Sequence, residues 1–326
     1  MKILVTGANG FIGRALCERM KVEEYHVRGA IRDATQMTLL PLGVEAVQVG
    51  SICSETNWSK ALDGIDRIVH LSARLHVLCE NAADPVVALR KINVDGTKCL
   101  AQQAVKAGVR RFVYLSTVKV YGEGRATPYN EKDDPGPMGP YAVSKWESEK
   151  VLHAIGYETD LEVVIIRSPL VYGPRVKANF LRLLKVVDRG IPLPLASVNN
   201  RRSLIYIGNL VDAIITCIKH PRATGQTYLV SDGEDVSTPE LIRLISKAMG
   251  KKSRLFSFPP GILKTIGKIT GRSAEIDRLI GSLCVDSRKI RTVLGWNPPY
   301  TSEEGIRKTV LWYKKYGKGQ RTDVRW

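Results

Sequence analysis

Apolar residues cluster along the first half of the chain in short β-rich runs: KILVTG (2–7), HVRGAI (26–31), EAVQV (45–49), RIVHLS (67–72), RFVYLS (111–116) and EVVIIRS (162–168). Longer amphipathic stretches with helical spacing separate them, among them Phe11–Met20, Pro85–Ala107 and Tyr141–Ile155. Alternation of this kind predicts parallel strand pairing through right-handed crossovers. The expected fold is therefore α/β, a doubly wound parallel sheet with helices on both faces.

After about residue 170 the texture changes. Pro- and Gly-rich loops (YGPRVKANF, GIPLPLASVNNRRS, FSFPPG) interrupt shorter elements. A smaller C-terminal lobe over 171–317 is expected, carrying substrate contacts and returning some chain to the main sheet. The stretch RKIRTVLGWNPPYTSEEGIRKTVLWY predicts a helix, a proline turn and a second helix starting near a Ser302 cap, and 318–326 reads as a frayed end.

Composition narrows the class more than the function. With 326 residues, 44% hydrophobic and 25% charged, the chain can build one large α/β domain with an added lobe. The longest apolar runs, such as Val163–Ile166, are strand-sized, and the N-terminus begins directly with a strand. Neither a membrane span nor a signal peptide is expected, which points to the cytoplasm. Cys17, Cys53, Cys79, Cys99, Cys217 and Cys284 are scattered, with no CxxC pair and no histidine at ligand spacing. They read as reduced, mostly buried thiols, and no metal is expected.

The net charge of +17 draws a protein toward polyanions, anionic lipid or phosphorylated substrates. The basic residues are dispersed and no nucleic-acid module accompanies them, so nucleic acid is not expected as a partner. In GILKTIGKITGR (261–272), Ile262, Leu263, Ile266 and Ile269 recur at helical spacing with Lys264, Lys268 and Arg272 between them. Such a stripe faces a core or lies on a membrane surface, the second giving peripheral contact at the inner face of the membrane.

TGANGFIG sets Gly7, Gly10 and Gly13, with Phe11 and Ile12, between the first strand and the first helix. Glycine permits the tight turn and a close backbone approach to pyrophosphate, and the helix N-terminus supplies N–H donors and a favourable dipole. Residues 1–170 therefore read as an NAD(P)-binding domain. The second strand ends in Ile31-Arg32-Asp33. Arg32 suits a 2′-phosphate and favours NADP(H); Asp33, one position on, keeps NAD(H) open. Ser51-Ile52 and Leu71-Ser72-Ala73 end the third and fourth strands, where a dinucleotide would lie.

YAVSK places Tyr141 and Lys145 four apart on one face at the start of a helix. An ammonium beside a phenol, with an oxidised nicotinamide's charge nearby, stabilises phenolate and moves the tyrosine pKa toward neutrality. Tyr141 could then exchange a proton with a substrate oxygen while hydride moves.

With TGANGFIG, IVHLSA, INVDGTKCLAQQAVKAGVRRFVYLST, YAVSKWESE, IIRSPLVYGP, RRSLIYIGNLVDAI and LGWNPPYTSEEGI, the chain resembles the extended short-chain dehydrogenase/reductases of the nucleotide-sugar epimerase/dehydratase family over nearly its whole length. The resemblance makes Thr117, Tyr141 and Lys145 the catalytic set, with Thr117 bonding the reacting sugar oxygen. It gives Asn93 a role supporting the lysine and its water, and places Pro169 beside the cofactor. Asn179, Arg202 and Arg278 would hold a diphosphate or sugar, although Ser203 and Asn209 replace acids often found nearby. Tyr172 reads equally as sugar-pocket wall or core. The helices Pro85–Ala107 and Tyr141–Ile155 resemble those of a four-helix homodimer interface.

In 4,6-dehydratases of that family an Asp-Glu pair follows the hydroxyl residue and expels water. Here Val118-Lys119 stands in its place and cannot, leaving hydride chemistry at one carbon. STVKVYGE is similar to motifs of a bacterial polysaccharide-pathway subgroup of UDP-sugar C4 reductases and 4-epimerases. Arg32 tilts the expectation to a reductase of a UDP-4-keto-6-deoxy-N-acetylhexosamine. The alternative is a 4-epimerase of UDP-hexose, UDP-N-acetylhexosamine or undecaprenyl-diphosphate-linked N-acetylglucosamine. A non-catalytic NADP(H) sensor stays remote, because sensors on this fold usually lack the Tyr-Lys pair.

Overall fold

The computed structural model describes residues 1–75, 85–125, 127–317 and 319. Its strands are β1 (Lys2–Thr6), β2 (His26–Ile31), β3 (Glu45–Gln48), β4 (Arg67–His70), β5 (Arg111–Thr117), β6 (Glu162–Ser168), β7 (Leu170–Tyr172), β8 (Arg202–Tyr206), β9 (Thr227–Leu229) and β10 (Asp235–Val236). The helices are α1 (Phe11–Val22), α2 (Ser59–Leu62), α3 (Pro85–Arg90), α4 (Gly96–Lys106), α5 (Pro140–Glu158), α6 (Ala178–Asp188), α7 (Ile207–Lys219), α8 (Thr238–Met249), α9 (Pro260–Ile269), α10 (Ser273–Ile280), α11 (Arg288–Leu294) and α12 (Ser302–Trp312).

Seven strands pair in parallel in the order β3-β2-β1-β4-β5-β6-β9. The six sequence-predicted strands are all in this sheet, and β9, from the second half of the chain, closes its far edge. Alternate side chains divide the core between the two faces. Ile3, Val5, Val69 and Val113 pack with Leu16 and Met20 of α1 and Leu210 and Ile214 of α7. Leu4, Ile68, Phe112 and Tyr114 pack with Leu100 of α4 and Leu152 of α5. Burial on both faces explains why these strands read as nearly continuous apolar runs.

The winding direction reverses between β1 and β4, which opens a crevice at their carboxyl ends. Thr6 and His70, the last residues of the two strands, meet across it with Oγ1 and Nδ1 2.6 Å apart. A small second sheet, β10-β8-β7, carries the start of the C-terminal region beside this crevice.

The expected Pro85–Ala107 helix is instead α3 and α4 joined by a π-turn at Lys91–Asp95. The wide turn frees the Asn93 carbonyl, which accepts from Thr97 Oγ1 and Ser148 Oγ, both at 2.6 Å. The cap of α12 is Thr301 rather than Ser302, in a reciprocal capping box with Glu304. Residues 318 and 320–326 of the expected frayed end, and Cys79, lie outside the described residues. The other five cysteines form no disulfide, and burial pushes the Cys17 and Cys217 thiols up to about 12. Among the described residues, no helix is long and apolar enough to cross a membrane.

Candidate active site

The glycine turn lies at the mouth of the crevice. Gly7 has φ +67° and packs so closely on the Leu71–Ser72 backbone that a Cβ would come within 3.1 Å of the Ser72 nitrogen. A Cβ on Gly13 would fall 2.0 Å from the Gly7 carbonyl oxygen, so glycine at both positions lets α1 start tight against the turn. Thr6 Oγ1 accepts from the Leu71 and Ser72 N–H groups at 3.2 Å, fixing the end of β4 beside it. The N-cap of α1 is Gly10, no side chain caps the helix, and its first turn, with Phe11 and Ile12, holds no acid. Those N–H groups and the positive end of the helix dipole fit a dinucleotide diphosphate.

At the end of β2, Arg32 is exposed and its guanidinium has no partner among the described residues. Its backbone N–H donates to Gln36 Oε1 at 3.1 Å, and Gln36 also receives Asn9 Nδ2 at 2.9 Å, which ties the β2 end to the glycine turn. Asp33 is engaged as the cap of the following 3₁₀ turn, accepting from the Thr35 N–H at 3.1 Å. After β3, the Ser51 carbonyl accepts from Thr56 Oγ1 at 2.9 Å, and Ile52 packs against Gly96 at the start of α4. Ala73 is partly exposed in the loop after β4, and Pro169 is buried between β6 and β7.

Lys145 is buried, its Nζ donating to the Leu115 carbonyl at 2.7 Å and lying 3.8 Å from the centre of the Tyr114 ring. Tyr114 stacks on His70 with ring centres 5.7 Å apart. A continuous path, Thr6–His70–Tyr114–Lys145, therefore joins the glycine turn to the Tyr-Lys face. Asn93 does not bond Lys145. It clamps the Arg74 backbone through both amide atoms, at 2.8 and 3.0 Å, and donates to Ser144 Oγ at 2.9 Å.

The expected depression of the Tyr141 pKa is tied to an oxidised nicotinamide's charge; the protein's own surroundings act in the opposite direction. Burial pushes the phenol up to about 12, while burial, partly offset by Glu149, pulls Lys145 down to about 7. The lysine is turned to a backbone carbonyl, so burial dominates at the phenol. Thr117 ends β5, and its Oγ1 accepts from the Lys119 N–H at 3.3 Å, leaving the hydroxyl proton available. Val118 is buried, and Lys119 pairs with Glu123 at 3.6 Å.

An ion pair not anticipated from the sequence lies behind this face. Glu149, one turn beyond Lys145, binds Arg167 Nη2 at 2.6 Å and receives the Ser116 hydroxyl. Arg167 also donates to the Tyr121 hydroxyl, and its guanidinium carbon lies 4.7 Å from the centre of that ring. No local signal joins Glu149 of α5 to Arg167 of β6; the pairing of the two elements brings them together.

Arg202 and Arg278 come together: Arg202 Nη1 donates to the Arg278 and Gly281 carbonyls, both at 2.9 Å, while its Nη2 lies 4.0 Å from Glu123 Oε2. Asn179 is exposed in the first turn of α6. Tyr172 belongs to the core. It is fully buried, stacked on Phe180, and donates to Asp232 Oδ2 at 2.7 Å, so the sugar-pocket reading is withdrawn. Asn209 donates to the same carboxylate at 2.7 Å and to the Tyr300 carbonyl at 2.8 Å, while Ser203 donates to Asp235 at 2.5 Å. Both departures from acid serve local structure.

A doubly wound sheet with an uncapped glycine turn beside a helix face that carries half-buried Tyr141 and buried Lys145 defines a dinucleotide-dependent enzyme of the extended short-chain dehydrogenase/reductase class. The chain belongs to the NAD dependent epimerase/dehydratase family, whose model matches residues 3–231. It is 42% identical over 312 residues, 94% of each chain, to a UDP-glucose 4-epimerase of Vibrio cholerae. It is 27% identical, over 94% of each, to the N-acetyl-α-D-glucosaminyl-diphospho-ditrans,octacis-undecaprenol 4-epimerase of Escherichia coli O157:H7. Among solved structures, the UDP-glucuronic acid 4-epimerase of Bacillus cereus in complex with NAD superposes with a TM-score of 0.79 at 25% identity, covering 98% of this chain and 100% of that one.

Proposed function

We propose that the protein is a 4-epimerase of a UDP-activated hexose or N-acetylhexosamine. The observation that carries hydride chemistry without elimination is the turn after Thr117, where Val118 is buried in a small apolar cluster and Lys119 is held by Glu123. Neither can act as the acid and base that expel water. The choice of epimerase over the reductase expected from Arg32 rests on the 42% identity to the Vibrio cholerae enzyme.

In this reading Tyr141 Oη takes the proton of the C4 hydroxyl and returns it to the C4 oxygen after the sugar has turned over. Thr117 donates its hydroxyl proton to that oxygen and holds it in place. Lys145 secures the cofactor ribose and balances the phenolate. When bound, oxidised nicotinamide supplies the hydride acceptor and a positive charge that favours the Tyr141 phenolate. Arg202, Arg278 and Asn179 neutralise and orient the diphosphate. Residues 1–170 are the cofactor domain and 171–317 mainly the substrate lobe. We place the enzyme in the cytoplasm as a homodimer, joined through α4 and α5, in surface-polysaccharide synthesis.

The second reading, a C4 reductase using NADPH, is favoured by the exposed Arg32 guanidinium at the end of β2, which has no partner among the described residues. Denaturing purified protein and identifying released nucleotide decides between them. Stoichiometric NAD with interconversion of UDP-glucose and UDP-galactose, or of their N-acetyl analogues, supports the epimerase. A nucleotide-free protein that binds NADPH reversibly and reduces a UDP-4-keto sugar overturns it.

A further inference from the structure

The helical hairpin formed by α9 and α10 carries two features that the proposed chemistry does not use. Its outer side exposes Ile262, Ile266 and Ile269 at 49%, 43% and 80%, three side chains spaced four and three apart and so aligned on one stripe of α9. Leu263 and Gly267 fill the inner side, Gly267 lying so close to Ile276 of α10 that a Cβ would come within 2.8 Å of it. The isoleucine stripe thus remains outside the core contact that a helix of this kind normally makes. Phe256, just ahead of α9, is likewise exposed at 47%.

The second feature is charge. No acidic residue occurs between Glu240 and Glu275, whereas that stretch holds eight lysines and arginines. Lys247 and Lys251 are engaged by Glu303 and Asp188. Lys252, Arg254, Lys264, Lys268 and Arg272 are exposed and form no ion pair with a described carboxylate. On α9, at about 100° per residue, the isoleucines and the two lysines, Lys264 and Lys268, take opposite flanks of the side turned away from Leu263 and Gly267. An exposed hairpin with aliphatic side chains on one flank and unneutralised cations on the other suits a plane with an apolar interior and an anionic surface. The chain's overall charge of +17 adds long-range attraction to the same kind of surface.

We propose that the α9–α10 hairpin docks the protein on an anionic lipid bilayer, the isoleucine stripe entering the headgroup boundary and the cations meeting lipid phosphates. The hairpin is fastened to the rim of the candidate site. Leu279 at its end accepts from Thr238 Oγ1 at 2.6 Å, Arg202 holds the Arg278 carbonyl at 2.9 Å, and the chain that follows bonds the active-site loop through Gly124 N–H to the Ser282 carbonyl at 3.2 Å. Docking therefore brings the substrate mouth close to the bilayer, where a lipid-carried sugar diphosphate would be presented. The proposal goes beyond the epimerase reading and does not rest on it.

The test is flotation of the full chain with phosphatidylglycerol–phosphatidylcholine vesicles, with pure phosphatidylcholine as the neutral arm. The double variants Ile266→Asp/Ile269→Asp and Lys264→Glu/Lys268→Glu are run beside it, and UDP-sugar turnover is recorded for all. The wild type is expected to float with anionic vesicles only, and each double variant to lose at least about tenfold in partitioning with turnover unchanged. A wild type that stays at the bottom of the gradient overturns the proposal, as do variants that float equally well. So does sedimentation showing that the substitutions split a wild-type oligomer that never floats, which would assign the stripe to a second copy. Loss of turnover in the wild type would instead count against the epimerase reading and leave docking to be judged by flotation.

Discussion

Glu149 and Arg167 form a buried ion pair, with Oε2 and Nη2 2.6 Å apart, directly behind the strand end that carries Thr117. Both side chains are enclosed, and their remaining bonds go to Ser116 and Tyr121. Removing one partner strands a charge away from water, which typically costs about 3–5 kcal/mol, whereas replacing both with apolar groups relieves most of the penalty. Glu149→Gln is therefore expected to lower unfolding stability by about that amount, and Glu149→Met/Arg167→Met to recover much of it. Urea unfolding checks this; a Glu149→Gln variant within about 0.5 kcal/mol of wild type would show that the pair is not enclosed as described.

Tyr141→Phe removes the proposed proton carrier and leaves the glycine turn intact. Turnover is expected to fall by about 10²–10⁴, the usual share of general acid–base catalysis, with the bound nucleotide unchanged. Steady-state rates and the nucleotide released on denaturation measure the two effects separately. Near-wild-type turnover would remove Tyr141 from the mechanism.

Arg32→Ala bears on the cofactor. A charge-assisted contact to a 2′-phosphate is worth about 1.5–3 kcal/mol, so the variant should lose roughly tenfold or more in NADPH affinity while NADH binding stays level. Fluorescence titration of nucleotide-stripped protein with each cofactor gives the ratio. If it does not move, Arg32 is a surface arginine.

His70 imposes a pH dependence on folding. Burial, and then the charge of Lys145, pull its pKa down from 6.5 to about 3, so between those values the unfolded chain binds a proton that the folded chain excludes. Stability therefore rises with pH through this window and is lost as pH falls, by an amount on the order of several kcal/mol. His70→Asn should flatten the acid limb relative to wild type. Parallel acid limbs in thermal melts from pH 4 to 7 would exclude His70 as their source.

The fold was legible because its signals are local. Val- and Ile-rich runs, helical spacing between them and a glycine turn at the first crossover together specify a doubly wound sheet. Gly13 illustrates the point: its spacing from Gly7 is visible in the sequence, and the structure supplies the 2.0 Å approach that requires it. Tyr141 and Lys145 were legible for a similar reason, being one helical turn apart.

Contacts between distant segments were not. Tyr172 has the same neighbours in sequence whether it faces a sugar or the core; its burial depends on Asp232 and Phe180, which only folding brings to it. The same holds for Lys145, whose ammonium the fold turns to the Leu115 carbonyl. By itself, the sequence determined the strand order's raw material, the glycine turn and the residue types at the candidate site. Tertiary structure alone decided which groups are buried, how charges such as Glu149 and Arg167 meet, and which helix face remains uncovered. Burial and electrostatic pairing are set by chain segments far apart in sequence, and no local pattern encodes them.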